Sequence, residues 1–376
     1  MNIPSSWQIL PLQKVAKLQT GLALNSKLKI LCPVCVPYLR VANVQAGHIE
    51  LGDLKTVVIE SSTMQRFVLH PGDVLLTEGG DFDKLGRGAV WRGQISPCLH
   101  QNHVFAIRTD RLKLLPEFLS YQTESNYGRN YFLSCSKQST NLASINSTQI
   151  KNFPVIVPPL NEQRRIAEFL GTWDEAIEKL EQLIAAEEAV LNAYLSRFVS
   201  AYESQNIPLG KLDGVKIEKG RSVTKSLLTG GNIPVIAGGK TTPYYCSAYT
   251  HDGETVTISA SGAYAGYVWY HSGKIWASDC NVLTSSAINV KFIFFALKYQ
   301  QQRIYSLQSG GAQPHVYAKD IEKILIPMLP RDKQDEIVKI LSLFEQKALL
   351  HRQELAALQK QKRGLMQKLL TGTWRI

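Results

Sequence analysis

The feature that most constrains the fold of this chain is a long run of helical periodicity that starts at Pro159. Apolar residues recur there at alternating steps of four and three, at the positions Ile166, Leu170, Trp173, Ile177, Leu180, Ile184, Leu191, Tyr194 and Phe198. Glu187 occupies one position of the same series and is its polar exception. Because the spacing persists for about five turns or more, it predicts a coiled-coil seam and not a helix lying on a globular core. A helix of about 40 residues would be roughly 60 Å long.

The same pattern occurs a second time, 171 residues further on, where Pro330 and Gln334 repeat Pro159 and Gln163. The second seam consists of Ile337, Leu341, Phe344, Ala348, His351, Leu355, Leu358, Lys362, Leu365 and Leu369. Two such helices in one chain are expected to pack on each other in an antiparallel pair. Glu187 would then face His351 or Lys362 and fix the register; alternatively, all three polar residues lie where the seam opens to solvent.

The segments that precede the two helices also repeat one another. Pro208-Leu209-Gly210-Lys211-Leu212 is similar to Pro11-Leu12-Gln13-Lys14-Val15, and Val268-Trp269 is similar to Val90-Trp91. In the first segment we predict strands over 51–59, 66–77 and 150–157, and a helix from Pro116 to about Ser125. Its counterpart in the second segment is a helix over 291–300. The chain is therefore expected to contain two diverged copies of one domain, each followed by a long helix.

These patterns predict an α+β fold with two similar mixed α/β domains, separated by two long antiparallel coiled-coil helices in a pseudo-two-fold arrangement. The predicted boundaries are 1–155 for the first domain, 156–205 for the first helix, 206–326 for the second domain and 327–376 for the second helix.

The distribution of charge is more informative than its total. The net charge is +11, and the two predicted domains carry +6 and +5, whereas the first helix carries −5 and the second +5. Basic domains attract polyanions, of which nucleic acid is the commonest. A modest positive charge that serves only solubility explains the same numbers equally well.

Composition excludes several classes of protein. No apolar run approaches the ~18 residues that cross a bilayer, and the N-terminus lacks the features of a signal peptide, so we predict a cytoplasmic protein without a membrane partner. Cys32 and Cys35 have zinc-knuckle spacing, but a structural zinc site usually needs a second clean pair, and Cys98, His100 and His103 do not form one. We therefore expect neither a metal nor a cofactor.

Catalytic motifs are missing from the sequence. Gly238-Gly239-Lys240-Thr241 ends like a phosphate-binding loop, but Pro234 stands where that motif requires glycine. We find no amino-methyltransferase motif and no cluster of carboxylates that would hold Mg²⁺ for a nuclease. The sequence favours a protein that is not an enzyme.

The residues of the two long helices resemble a known family. PPLNEQRRIAEFLGTWDEAIEKLEQ and its weaker second copy LPRDKQDEIVKILSLFEQKALLHRQ resemble the conserved helices of the specificity subunits of type I restriction–modification systems, and KQKRGLMQKLLTG resembles the end of such subunits. The second copy departs from the pattern at Arg331 and Lys333. The resemblance implies two target-recognition domains, each reading one half of a split target in double-stranded DNA. It further implies that the helices set the spacing between the half-sites and dock modification (methyltransferase) subunits, two of them by expectation, and that restriction subunits join this core.

Candidate DNA contacts lie in three groups of polar residues. The glycine-rich loop 79–88 and its counterpart 259–267 can approach a duplex closely, and basic or polar side chains there can hold phosphates or reach base edges. The candidates are Lys84, Arg87 and Arg92 in the first domain, and Ser261, Tyr264 and Tyr267 in the second. The second group contains Lys137, Gln138, Thr140, Asn141, Gln313 and His315. The third contains Lys240 and Tyr244. The alternative for each is a hairpin turn with solvated side chains.

A hypothesis from another class remains open at this level. The chain could be a coiled-coil adaptor that binds proteins and meets DNA only incidentally. Binding to random duplex, with and without methyltransferase partners, discriminates between the two.

Overall fold

The computed structural model describes residues 3–23, 31–80, 85–138, 143–201, 206–228 and 230–376. The chain forms two compact units: Met1–Lys179 with Leu355–Ile376 form unit 1, and Leu180–Glu354 form unit 2. Each of the two long helices contributes one segment to each unit.

Unit 1 contains twelve strands in the described residues, followed along the chain by the first long helix. The strands are β1 Gln8–Pro11, β2 Ala16–Thr20, β3 Pro33–Leu39, β4 Lys55–Glu60, β5 Val74–Thr77, β6 Gly79–Gly80, β7 Gly88–Val90, β8 Leu99–His100, β9 Val104–Thr109, β10 Lys137–Gln138, β11 Ala143–Ser144 and β12 Pro154–Val157. The helices are α1 Ser61–Phe67, α2 Pro116–Glu124, α3 Asn126–Cys135, α4 Ser147–Lys151 and α5 Leu160–Ala201.

Unit 2 repeats this plan with fewer residues. Its strands are β13 Asn206–Pro208, β14 Val215–Lys219, β15 Ile233–Ile236, β16 Tyr244–Cys246, β17 Glu254–Ser259, β18 Val268–Ser272, β19 Trp276–Ala277, β20 Cys280–Ser285 and β21 Leu325–Pro327. Its helices are α6 Val290–Tyr299, α7 Gln301–Tyr305 and α8 Ala318–Ile321, and the second long helix is α9 Arg331–Leu369.

The sheets of the two units have the same strand order. A four-stranded antiparallel sheet, β2-β9-β5-β7, corresponds to β14-β20-β17-β18. A three-stranded sheet, β4-β3-β8, corresponds to β16-β15-β19, and in both sheets the pair that involves the last strand is parallel. The antiparallel pair β1-β12 corresponds to β13-β21 and stands directly before the long helix in each unit. The predicted α+β class, with two similar mixed domains and two long helices, is confirmed.

The long helices run antiparallel within each unit. In unit 1, Asp174 of α5 contacts Lys362 of α9 at 2.6 Å, and Ile166 shares a buried cluster with Leu369. In unit 2, Glu187 contacts His351 at 2.9 Å, and Leu195 shares a buried cluster with Ile337. In both units, later residues of α5 accompany earlier residues of α9.

The predicted seam positions whose side chains are described are buried or half-buried; the side chain of Phe198 lies outside the described ones. The apolar ones with less than a tenth of their surface exposed are Ile166, Leu170, Leu180, Ile184, Ile337, Leu341, Ala348 and Leu369. The half-buried ones are Trp173, Ile177, Leu191, Tyr194, Phe344, His351, Leu355, Leu358 and Leu365. The seam includes a buried cation, Lys362, which pairs with Asp174 at 2.6 Å and with Glu124 of α2 at 3.4 Å.

Three predicted strands of unit 1 begin in the wrong place. The strand expected over 66–77 is helical as far as Phe67, and only Val74–Thr77 is extended. The strand expected over 51–59 is confined to Lys55–Glu60. The strand expected over 150–157 starts as helix α4, because Asn146 and Gln149 cap its first turn reciprocally at 3.0 and 2.7 Å.

Strand pairing also corrects the alignment of the two copies. Val74 lies opposite Ile107 and Val90, whereas Val256 lies opposite Leu283 and Tyr270. Val90 therefore corresponds to Tyr270 and not to Val268, the match suggested by sequence similarity. Register follows from the hydrogen-bonded ladder, which short similar stretches do not determine.

Candidate nucleic-acid interface

In unit 2, two loops that are distant in sequence meet at one end of the four-stranded sheet. The amide of Gly262 donates to Pro314 O at 3.0 Å, and the amide of Val316 donates to Ala260 O at 3.0 Å. Ser309 and His315 exchange two backbone hydrogen bonds of 3.0 and 2.8 Å. These contacts bring the predicted residues Tyr264, Tyr267, Gln313 and His315 to one surface, with Ser261 buried beneath it.

The same end of unit 1 has an equivalent arrangement. Strand β11 pairs with β10 on one side and with β6 on the other, so that Ala143 lies opposite both Gln138 and Gly80. The structure therefore brings the exposed residues Lys137 and Gln138 to the glycine-rich loop. Three further predicted residues, Lys84, Thr140 and Asn141, lie outside the described residues.

A glycine shapes the loop before the last strand of the four-stranded sheet in both units. Gly86 has a φ of +64° and Gly266 a φ of +89°, a backbone conformation that favours glycine. A Cβ at Gly86 would lie 2.6 Å from a ring carbon of Phe132. Arg87 and Tyr267 follow these glycines and occupy corresponding positions. The next residue in unit 1, Gly88, pairs with Leu76 of β5, and the next residue in unit 2, Val268, pairs with Ile258 of β17. The two loops share a framework and differ in the side chains they present.

Two lysines in unit 2 surround the aromatic residues of this loop. The Nζ of Lys240 lies 4.6 Å from the ring centre of Tyr264 and 5.6 Å from that of Tyr267. The Nζ of Lys298, on α6, lies 4.8 Å from the Tyr267 ring. Partial burial lowers the pKa of the Lys298 ammonium; Glu345 opposes this shift, and the positive charges of Lys240 and Arg352 add to it. Tyr264 remains 45% exposed, so its ring is open to a ligand.

Ser261 and Tyr244 have different environments from the rest of the predicted set. Ser261 is buried, and its hydroxyl donates to Oδ2 of Asp279, so it holds the loop in place and does not face solvent. Tyr244 is exposed on β16, which is an edge strand of the three-stranded sheet.

Arg87 and Arg92 lie at opposite ends of β7. The carbonyl of Arg87 accepts from the amide of Thr77 at 2.9 Å, beside the glycine-rich loop. Arg92 is exposed beyond the other end of the strand, where its charge acts on the hydroxyl of Tyr121. That hydroxyl donates to Asp174 of α5 at 2.5 Å. Arg92 is thus separated from the other candidates of unit 1.

Sequence reasoning missed several polar residues of these surfaces. Lys298 lies in a helix whose other residues are mostly apolar, so the sequence did not single it out. Its spacing of seven residues from Lys291 could have done so, because that spacing places both lysines on one face of the helix. Asp279 lies beside the loop of unit 2, and His103, whose Nδ1 contacts the carboxylate of Glu78, lies beside the loop of unit 1. His103 directly precedes β9, and Asp279 directly precedes the corresponding strand β20. Equivalent positions therefore carry an imidazole in unit 1 and a carboxylate in unit 2.

The described ranges lack a metal-binding cluster and a membrane-spanning helix. They contain no group of three or more His, Cys, Asp or Glu side chains arranged to hold a metal ion. Cys32 and Cys35 are exposed, whereas His100 is buried with its Nδ1 2.7 Å from Val104 O. No helix of the described residues combines the length and apolar character that a membrane crossing requires.

Comparison with known proteins identifies the family. Residues 4–188 and 209–360 match the family described as the type I restriction modification DNA specificity domain. The chain belongs to this family. It is 24% identical to the putative type I restriction enzyme MjaX specificity subunit of Methanocaldococcus jannaschii, over all of this chain and 95% of that protein. It is 27% identical to the EcoKI specificity subunit of Escherichia coli, over 51% of this chain and 42% of that protein.

Solved structures show the same fold. The S subunit of a type I restriction–modification system from M. genitalium aligns with a TM-score of 0.63 at 21% identity, over 98% of this chain and 96% of that one. A chain from a study of the assembly and conformational transition of the type I R-M system aligns with a TM-score of 0.58 at 18% identity, over the full length of both chains.

The chain is therefore a DNA specificity subunit of a type I restriction–modification complex. Subunits of this kind are non-catalytic, and catalysis lies with their partner subunits. The two matched segments of this specificity subunit fit the reading of a bipartite target.

Proposed function

We propose that this specificity subunit reads one half of a split double-stranded DNA target with each unit, through the loops at the end of each four-stranded sheet. The observation that carries the proposal is the correspondence of Arg87 and Tyr267. One loop framework, turned by a glycine in both units, carries an arginine in one and a tyrosine in the other, and both side chains are half-buried. A shared scaffold with different side chains is what two different half-sites require.

The proposed contacts differ between the units. In unit 1 we assign base or phosphate contacts to Arg87, Lys137 and Gln138, and we retain Lys84, Thr140 and Asn141 as predictions from the sequence. In unit 2 we assign them to Lys240, Tyr244, Tyr264, Tyr267, Gln313 and His315, with Ser261 as a positioning residue. Arg92 lies apart from the loops and is proposed only as a contact to the DNA backbone.

The domain boundaries remain a proposal as well. We propose recognition domains over 1–155 and 206–326 and spacer helices over 156–205 and 327–376. The strand pairs β1-β12 and β13-β21 support limits close to these, because each pair stands immediately before its long helix and β12 and β21 end at Val157 and Pro327.

We further propose that the long helices dock modification subunits, two per chain, and that restriction subunits join this assembly in the cytoplasm. An exposed apolar face supports the docking. Leu183 and Val190 of α5 and Leu343 and Leu350 of α9 are 43–61% exposed, and each pair is spaced by one heptad.

An ion pair places these four residues on one face of unit 2. Glu187 lies between Leu183 and Val190 on its helix, Lys347 lies between Leu343 and Leu350, and their side chains meet at 2.7 Å. An exposed, heptad-spaced apolar face accepts further helices, as when a helical pair becomes part of a larger bundle.

Co-expression with two modification subunits, followed by genome-wide mapping of methylated adenines, tests the proposed function. We expect a methylated motif of two short half-sites with a fixed gap. Exchanging the residues 260–267 for the equivalent loop of a relative should change one half-site and leave the other unchanged. A complex that copurifies but binds random duplex and the mapped sequence equally would favour the protein adaptor instead.

A further inference from the structure

Two ammonium groups converge on one tyrosine in unit 2. The Nζ atoms of Lys240 and Lys298 lie 5.6 and 4.8 Å from the ring centre of Tyr267, and Lys240 also lies 4.6 Å from Tyr264. The lysines come from different elements, one from the connection between β15 and β16 and the other from the last turn of α6. Their proximity is therefore a product of the tertiary fold.

No carboxylate of the described residues forms an ion pair with either lysine. The acidic group that acts on Lys298 is Glu345, and its Oε2 already lies 3.2 Å from the Nζ of Lys291. Arg352, a further cation near Lys298, pairs with Glu188. Asp279, beside the loop, accepts the hydroxyl of Ser261.

Lys240 and Lys298 are both exposed. Two like charges held beside one ring repel each other, and an anion that contacts both relieves the repulsion. The cation–π contacts hold both ammoniums beside the ring and reduce the entropy lost on binding. A phosphodiester carries one negative charge and several acceptor oxygens, and ammonium groups commonly bind it. The site lies beside the exposed ring of Tyr264 on the loop surface.

We propose that Lys240 and Lys298 together bind one backbone phosphate of the DNA half-site read by unit 2, with Tyr267 holding the two ammoniums apart and in place. The proposal rests on the DNA-reading function proposed above and assigns a contact that fixes the position of the duplex on the loop. The described residues of α2 in unit 1 offer no equivalent cation at this position. Glu124 is the ninth residue of α2, as Lys298 is of α6, and it pairs with Lys362. The phosphate clamp is thus a property of one half-site.

The salt dependence of binding tests the clamp. Equilibrium constants of the purified specificity–modification complex for its mapped duplex would be measured between about 50 and 200 mM salt, for the wild type and for Lys298→Gln, Lys240→Gln and the double variant. Each lost phosphate contact reduces the slope of log K against log salt by about 0.9. We expect the two single variants and the double variant to lose about the same single unit, because both lysines hold one phosphate.

Two further variants make this result specific. Lys298→Arg keeps the charge and should retain the wild-type slope. Lys274→Gln removes a comparable lysine, which lies 4.7 Å from the ring of Tyr249 beyond the opposite end of β18, and should leave the slope unchanged. The methylated sequence should stay the same throughout, because a backbone contact carries no base information.

Two outcomes overturn the clamp: wild-type slopes for both single variants, or an equal loss for Lys274→Gln. A third outcome also overturns it: calorimetry shows that inorganic phosphate binding depends on Lys298, while the salt slope of DNA binding does not. The site would then bind a free anion and not the DNA backbone. If the wild-type complex shows no preference for any split duplex, the proposed function itself fails, which distinguishes the two failures.

Discussion

Glu187 of the first long helix and His351 of the second are joined by a contact of 2.9 Å between Oε2 and Nδ1. Lys347 contacts the other carboxylate oxygen at 2.7 Å. The pKa of Glu187 lies below its usual value. Lys347 makes the largest contribution to this lowering and His351 a smaller one, while desolvation opposes both. The polar exception in an apolar seam therefore has two partners, and these fix the register of the helices in unit 2.

Replacing Glu187 by Gln should lower the Tm of the protein, because Lys347 and His351 at the seam would lose their carboxylate partner. Since the folded-state pKa is depressed, this contribution is present above the pKa of the unfolded carboxyl and is lost as pH falls through the folded value. The loss of Tm on substitution should therefore shrink in acid. Glu188→Gln is the matched control; its contact with Arg352 is exposed, so the effect should be smaller. Equal effects at both positions would argue against a register role.

Gln163 and Gln334 should stabilise the N-terminal ends of α2 and α6. The side chain of Gln163 is buried; it accepts from Leu115 N at 2.9 Å and donates to Lys113 O and Pro158 O at 2.8 Å each. Gln163→Ala leaves buried backbone groups unpartnered, so we expect about 3 kcal/mol lower free energy of unfolding.

Gln334 makes fewer such bonds, accepting from Asn289 N and donating to Leu329 O at 2.8 Å each. We therefore expect a smaller loss of about 2 kcal/mol for Gln334→Ala. Urea denaturation measures both, with the exposed Gln346→Ala as control. If either variant lost less free energy of unfolding than Gln346→Ala, the role of these side-chain amides would be contradicted.

His271 should make the protein sensitive to mild acid. Burial lowers its pKa from 6.5 to about 4, while its Nε2 lies 2.8 Å from the hydroxyl of Thr257. Between these two values the unfolded chain binds a proton that the folded chain does not, so stability falls as pH decreases from 6.5 to about 4. The loss from this residue is at most about 3 kcal/mol.

His271→Gln should flatten this dependence, as measured by denaturation at a series of pH values. Some slope should persist, because burial also lowers the pKa of His100 in unit 1. An unchanged profile for His271→Gln would rule out His271 as a source of the acid sensitivity.

The exposed apolar face of unit 2 should be needed for the modification subunits. Leu183→Glu and Leu350→Glu place charges on both helices of that face and should abolish copurification without lowering Tm by more than a few degrees. Leu112→Glu introduces the same charge at an 84% exposed leucine of unit 1 and should leave assembly intact. Normal assembly of both face variants would locate the docking surface elsewhere.

The candidate site was predictable in part. The loops 79–88 and 259–267 stood out in the sequence because glycine and polar residues interrupt strand patterns, and both lie at corresponding sheet ends. Their neighbours could not be assigned from sequence, because Gln138 and His315 reach the loops only through long-range strand pairing and bridges. Burial of Ser261 and the separation of Arg92 from Arg87 likewise depend on which face and which end of a strand a residue occupies.

The sequence by itself determined the repeated architecture, since a heptad period and a duplicated Pro and Gln before it are local properties that require no knowledge of contacts. It left open whether Glu187 faces His351 or Lys362. The tertiary structure assigned His351 to Glu187 and Lys362 to Asp174 and Glu124. It also brought Lys298 to Tyr267 across more than thirty positions of the chain. Helix register and long-range proximity arise from the packing of whole elements, so the pattern within any one element cannot specify them.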